Sequence, residues 1–243
     1  METSYLESLY TSKHTGYFEC SRPELVPFVP ETARKILDVG CGAAGFSGAL
    51  KRLRQAEVWG VELNKSASEV ARGRLDTVLN APFCPELDLP TNYFDCITFN
   101  DVLEHMLDPV SALQLALSLL SESGVVVASI PNIGHFPIVW KLIIRGDWDY
   151  KEEGILDKTH LRFYTRRSIV KLFEQAGFEI QTIQGINDYV NVEPEDKSLW
   201  RKYRLFSWIP AHGIHEMRHL QFAVVAKKSN KVFRSVSSWL EPS

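Results

Sequence analysis

The sequence has little cysteine, and none of it is clustered: Cys20, Cys41, Cys84 and Cys96 form no CxxC pair. That pattern excludes a zinc knuckle or a disulfide framework as the organising feature and fits a reducing cytoplasm. It also has no block of like charge. With 27 Lys and Arg against 30 Asp and Glu, the formal net charge of −3 offers no general basic field, so nucleic acid is not an expected partner. Long apolar runs are missing too. VSALQLALSLL, GVVVASI and FPIVWKLII are bounded by Ser, Glu, Gly, Pro or Asn well before the roughly 18 residues of a membrane span. The first residues, METSYLESLYTSK, lack the basic-then-apolar pattern of a secretory signal. No repeat or low-complexity tract is visible. The remainder, 243 residues at 45% hydrophobic and 23% charged, suits one sizeable α/β domain with a small cap.

What is present begins with ILDVGCGAAGFSGAL, Ile36 to Leu50, which reads as a buried strand, a glycine-rich turn and the first turns of a helix. Gly40, Gly42 and Gly45 let the backbone turn sharply, and the helix N-terminus points its positive end at a ligand. Strands are expected at 35–39, 57–61, 76–79, 94–99 and 124–130, with helices near 46–54, 65–73 and 109–121. This βαβ rhythm predicts a doubly wound, mostly parallel sheet, with ligands at the ends of the first, second and fourth strands. The helix TRRSIVKLFEQAG, the strand after it and the later HLQFAVVAKK predict an antiparallel hairpin edge. Residues 1–30 read as a helical lead-in, 31–243 as the main domain, and 135–165 and 188–216 as cap segments.

Glu62 ends the run VWGVE, 62 − 45 = 17 residues past the last glycine, where an acid can grip both hydroxyls of a ribose. Two cofactors suit such a corner, a nicotinamide dinucleotide and S-adenosylmethionine. Asp38 separates them, because its carboxylate would repel a pyrophosphate and attract the ammonium group of a methionine moiety.

LDVGCGAAG, VWGVELN, FDCITFNDVLEHMLDP and SGVVVASIPN, in that order and spacing, resemble class I S-adenosylmethionine-dependent methyltransferases, whose fold is a Rossmann-like seven-stranded sheet. The resemblance covers roughly residues 34–187 and 217–227. It implies that Asp38, Gly40, Cys41 and Gly42 line the methionine half of the cofactor, that Glu62 and Leu63 meet the ribose and adenine, and that Asn100, Asp101 and Val102 contact it after the fourth strand. The acid that many relatives place beside the adenine amino group is absent from LNAPFCPEL, which leaves Asn80, Ala81 and Phe83 as loose candidates.

On the acceptor side, an in-line methyl transfer to a hydroxyl calls for a base near the sulfonium. His105 lies just beyond the cofactor-contacting loop, with Glu104 beside it to orient it or bind substrate. DKTHLRFYT supplies a second candidate base, His160, with Asp157 three residues earlier to fix its tautomer. Alternation there predicts an apolar anchor, Leu161 and Phe163, presenting His160, Arg162 and Tyr164. The segment 131–178 resembles a bacterial methyltransferase subgroup associated with glycan and cell-envelope biosynthesis, which implies a sugar or glycan hydroxyl as acceptor. Trp148, Tyr150 and Tyr164 would offer flat faces to a pyranose, with Asp147, Asp149 and Arg162 bonding its hydroxyls. An amine acceptor, or a noncatalytic cofactor-binding module, is the alternative. His212, His215 and His219 lack the HExxH arrangement, so no metal is expected. SLWRKYRLFSWIP, 198–210, reads as a lid or a peripheral membrane contact.

Overall fold

In a computed structural model the described residues are 18–188 and 213–230; the 198–210 segment, His212, most of the 188–216 cap and the first 17 residues of the lead-in lie outside them. Seven strands form one sheet: β1 Lys35–Val39, β2 Glu57–Val61, β3 Thr77–Leu79, β4 Phe94–Asn100, β5 Leu120–Pro131, β6 Phe178–Asp188 and β7 His219–Lys228. Their order is β3-β2-β1-β4-β5-β7-β6. β1 to β5 are parallel neighbours, and β7 runs antiparallel to both β5 and β6. The expected antiparallel C-terminal edge is therefore present, with the last strand inserted inside it.

Helices α1 Gly45–Arg54, α2 Lys65–Arg72, α3 Pro109–Leu119, α4 Phe136–Arg145 and α5 Arg166–Gln175 complete the fold. Local chemistry fixes where they start. Asn64 caps α2 through Ala67 N–H, Asp108 caps α3 through Ser111 N–H ahead of Pro109, and Thr165 and Ser168 form a capping box on α5. One face of the sheet packs Leu37, Phe94, Phe99 and Phe222 with Leu113 and Phe173 of α3 and α5. The other packs Ile36, Val58 and Val127 with Leu50 of α1, Ala71 of α2 and Leu25 of the short 3-10 helix Pro23–Phe28. With both faces covered, the parallel strands are continuous apolar runs, as such sheets require. β1 has β2 on one side and β4 on the other, so strand order reverses there and a crevice opens beyond the strand ends.

THLRFYT is not a strand. Residue 164 makes a single bridge to Asn132, His160 and Tyr164 are buried, and Leu161 is exposed, the reverse of the apolar-anchor expectation. Among the described residues no strand pairs with the segment beyond that bridge. Its backbone is instead tied to the 3-10 turn Leu103–His105, where the Glu104 carbonyl accepts from Leu161 and Arg162 N–H at 2.9 and 3.2 Å.

Candidate active site

A cavity of about 870 Å³ occupies the crevice. Its floor is the turn after β1. Gly40 and Gly42 have φ of +71° and +54°, and a Cβ on either would come within 2.6 Å of Val102 Cγ2 or the Phe18 carbonyl oxygen. Only glycine satisfies both the conformation and the close approach. Phe18 thus straps the turn, accepting from Ala43 N–H at 2.9 Å.

Asp38, at 2% exposure, lines the cavity and takes the Thr98 hydroxyl at 2.6 Å and Asn100 Nδ2 at 3.5 Å. Burial pushes its carboxyl up to about 6, only partly offset by the hydrogen bond from Thr98. Asn100 Oδ1 is buried with no hydrogen-bond partner among the described residues. A buried acid short of charge compensation and an orphaned amide oxygen on the same wall make a cradle for an ammonium group. The methionine end of S-adenosylmethionine fits that cradle.

Glu62 is also buried, and its two oxygens accept Gly42 N–H at 2.8 Å and Asn64 N–H at 2.6 Å. It braces the turn against the end of β2, and a ribose diol would have to use the second lone pair of each oxygen. Leu63, Ala81, Pro82 and Phe83 line the cavity beyond it, and Asn80 donates to the Glu62 and Leu63 carbonyls rather than facing the ligand. Cys41 and Val102 line the cavity as expected, and Gly45 starts α1 just behind it. Asp101 lines it too, but in the unusual φ of +53° and with its carboxylate accepting from Arg22, Ser129 and Gln221.

At the acceptor end, His105 and Thr159 line the cavity. His105 Nδ1 lies 3.1 Å from both the carbonyl and the hydroxyl oxygen of Thr159, which places its proton on Nδ1 and its lone pair on Nε2. Burial and the neighbouring His160 push His105 down to about 4. The two imidazoles meet edge to face, with centroids 4.7 Å apart. His160 sits behind His105, outside the cavity lining, with Nδ1 3.0 Å from the Ile155 carbonyl and Nε2 3.9 Å from Glu104 Oε1. The expectation that Asp157 fixes its tautomer is corrected: a carbonyl at Nδ1 requires the proton there, and Asp157 Oδ1 serves Thr159 N–H and O–H. Glu104 is 1% exposed, and burial together with the Asp101 charge holds its carboxyl well above the usual range.

Arg162 bonds the Met106 and Leu107 carbonyls, at 3.4 and 2.5 Å, and so pins the chain just after the turn that His105 ends. Trp148 and Tyr150 pack on Phe163 and line neither this cavity nor a smaller one beside it. Tyr164 is buried, with its hydroxyl inside, so it offers no open face to a ligand. The smaller cavity, about 260 Å³, shares Glu153 and Gly154 with the main one and is lined by Lys141, Asp147, Asp149 and Lys151.

A family described as a methyltransferase domain matches residues 15–183. The chain belongs to that family. S-adenosyl-L-methionine is the cofactor of the family and the fold, in agreement with the Asp38–Asn100 cradle. Among curated relatives, a ubiquinone biosynthesis O-methyltransferase of Psychrobacter arcticus is 30% identical over 184 residues, 69% of this chain and 66% of that protein. One of the same description from Alkalilimnicola ehrlichii is 35% identical over 105 residues, 41% of this chain and 42% of that protein. The chain thus spans no more than about two thirds of the length of either. Among solved structures, an S-adenosylmethionine-dependent methyltransferase from Archaeoglobus fulgidus aligns with a TM-score of 0.62 at 18% identity, covering 93% of this chain and 99% of that one. One from Thermotoga maritima, described as a possible histamine N-methyltransferase, aligns at 0.60 and 19%, covering 93% and 96%.

In this methyltransferase domain the residue that sequence reasoning missed is Arg22. Among the described residues it is the one Lys or Arg lining the cavity, against Asp38, Asp101, Asp108 and Glu153. Its guanidinium holds Glu24, Asp101, Ser129 Oγ and Gln221 Oε1, which commits four of five N–H donors and leaves one on Nη1. No motif spacing marks it. Its partners come from β5, β7 and the loop after β4, which only the folded sheet brings together.

Proposed function

We propose that this chain transfers the methyl group of S-adenosylmethionine to a hydroxyl of a small acceptor. The observation that carries the reading is one continuous cavity lined both by the Asp38–Asn100 cradle and by His105. When bound, the cofactor supplies a methyl carbon already activated by positive sulfur. The chain's own residues then hold, orient and shield. Asp38 and Asn100 Oδ1 take the ammonium, the uncommitted Arg22 N–H faces the carboxylate, and Leu63 and Phe83 cover the adenine. Phe18 and Cys20 close the near side. His105 presents its Nε2 lone pair to the acceptor hydroxyl, held in place by Thr159.

Oxygen as the acceptor atom is supported by the curated relatives, whose descriptions name O-methyltransferases. A sugar-like acceptor bearing several hydroxyls draws support from the smaller cavity, where Asp147, Asp149, Lys141 and Lys151 offer hydrogen bonds just past Gly154. A reducing compartment such as the cytoplasm suits four cysteines that are all free thiols. Among the described residues no helix is long and apolar enough to cross a membrane. The test uses cofactor carrying a ¹³C methyl, incubated with a panel of hydroxylated sugars, catechol-type phenols and primary amines. A product methyl with the carbon shift of a methoxyl group supports the reading, and the responding class names the acceptor. Turnover confined to amines overturns it.

A further inference from the structure

The corner behind His105 holds more ligating chemistry than the cofactor uses. Both carboxylate oxygens of Glu104 are buried with no hydrogen-bond partner among the described residues, on a side chain only 1% exposed. One ligating atom each from Glu104, His105 and His160 lie within 4.8 Å of one another. Both imidazoles have Nδ1 against a backbone carbonyl, Thr159 for one and Ile155 for the other. That arrangement fixes the ring and leaves Nε2 as the ligating nitrogen, the usual support of a metal-binding histidine. The Tyr164 hydroxyl, sensitive to the Glu104 charge, is likewise buried with no hydrogen-bond partner. An unpartnered carboxylate beside two ring nitrogens is costly in a closed apolar corner and favourable around a cation.

We propose that Glu104, His105 and His160 bind a divalent transition-metal ion at the acceptor end of the cavity. Two imidazoles and one carboxylate suit Mn²⁺, Fe²⁺ or Zn²⁺ better than Mg²⁺, which prefers an all-oxygen shell. Asp101 is not part of the set, because its carboxylate is committed to Arg22, Ser129 and Gln221. His105 lines the cavity while Glu104 and His160 lie behind it, so the open positions of the ion face the acceptor. Resting on the O-methylation reading, the ion has a catalytic task there: with it bound, the His105 Nε2 lone pair is committed to the metal, and the ion rather than the free imidazole activates the acceptor hydroxyl. It draws the hydroxyl in and lowers its pKa, so that the proton leaves to solvent and the oxygen lone pair forms the new bond to the methyl carbon as the carbon–sulfur bond breaks. The sulfur leaves as a neutral thioether.

Full-length protein stripped with a chelator and titrated with MnCl₂, followed by calorimetry and by loss of the free Mn²⁺ resonance signal, tests the site. One equivalent should bind, and Glu104→Gln and His160→Ala should each weaken binding by about tenfold or more. S-adenosylhomocysteine affinity of the stripped protein should stay unchanged. Should Glu104→Gln fail to fold, His160→Asn takes its place, read against the thermal shift that Mn²⁺ gives the wild type. No stoichiometric binding of Mn²⁺ or Zn²⁺, or equal affinity in the variants, overturns the site. Loss of S-adenosylhomocysteine binding with metal binding intact overturns the methyltransferase reading instead.

Discussion

Replacing Asp38 with asparagine should make the cofactor-free protein more stable and the cofactor-bound complex weaker. Burial raises the Asp38 carboxyl from 3.8 to about 6, so the fold holds its proton more tightly than the unfolded chain does. The folded state therefore gains from this group below pH 3.8 and loses that gain as the pH rises through about 6. At pH 7 this upward shift costs the fold about 3 kcal/mol relative to a group that stayed protonated in both states, and at pH 4 under about 1 kcal/mol. Asparagine keeps an acceptor for the Thr98 hydroxyl but buries an NH₂ group, which reduces the expected gain at pH 7 to about 1–2 kcal/mol. In a domain of this size that is a melting-point rise of roughly 2–8 °C. The same change removes the charge that meets the ammonium, which should weaken S-adenosylhomocysteine binding by about 10- to 100-fold. Thermal melts at pH 7 and pH 4, with and without ligand, read all of this at once. An Asp38→Asn protein no more stable than wild type at pH 7, or with the same gain at pH 4, refutes the desolvation argument. Unchanged ligand affinity refutes the cradle.

Gly42→Ala should lower stability by about 1–3 kcal/mol in chemical denaturation, since it forces a side chain into φ +54° and against the Phe18 carbonyl. It should also impair cofactor binding. Arg22→Ala leaves Asp101 without its counter-ion and should cost about 2–4 kcal/mol in the same assay while raising the KM for cofactor; a change in kcat alone would contradict the assignment. His105→Ala is expected to cut turnover by about 100-fold or more with cofactor affinity retained. Trp148→Ala, whose ring packs on Phe163 away from both cavities, should change cofactor affinity by less than about twofold.

The first half of the domain was legible because each signal there is local. Ile36, Leu37 and Val39 flanked by glycines specify a buried strand and a tight turn, and the boundaries of β1 and β2 follow from the sequence to the residue. Asp38 stood out as a charge inside an apolar run, and the structure puts it in the crevice. Glu62 was legible as an acid in the right place, while its double bond to backbone amides was not, because that depends on how the β1 turn crosses β2. The segment 159–164 misled for a related reason. Its alternation satisfies a strand pattern, but alternation fixes faces only where a neighbouring strand pairs, and here the turn at Glu104 holds the backbone. Arg22 and the meeting of Glu104 with His160 join residues far apart in the chain, and no spacing rule records such pairs.

The account stands most directly on the cradle at Asp38 and Asn100. Calorimetric titration of the protein with S-adenosylhomocysteine at pH 7 measures it. One equivalent bound, with affinity lost in Asp38→Asn, is the result expected; no heat of binding at millimolar ligand, or tighter binding of a nicotinamide dinucleotide, would contradict it.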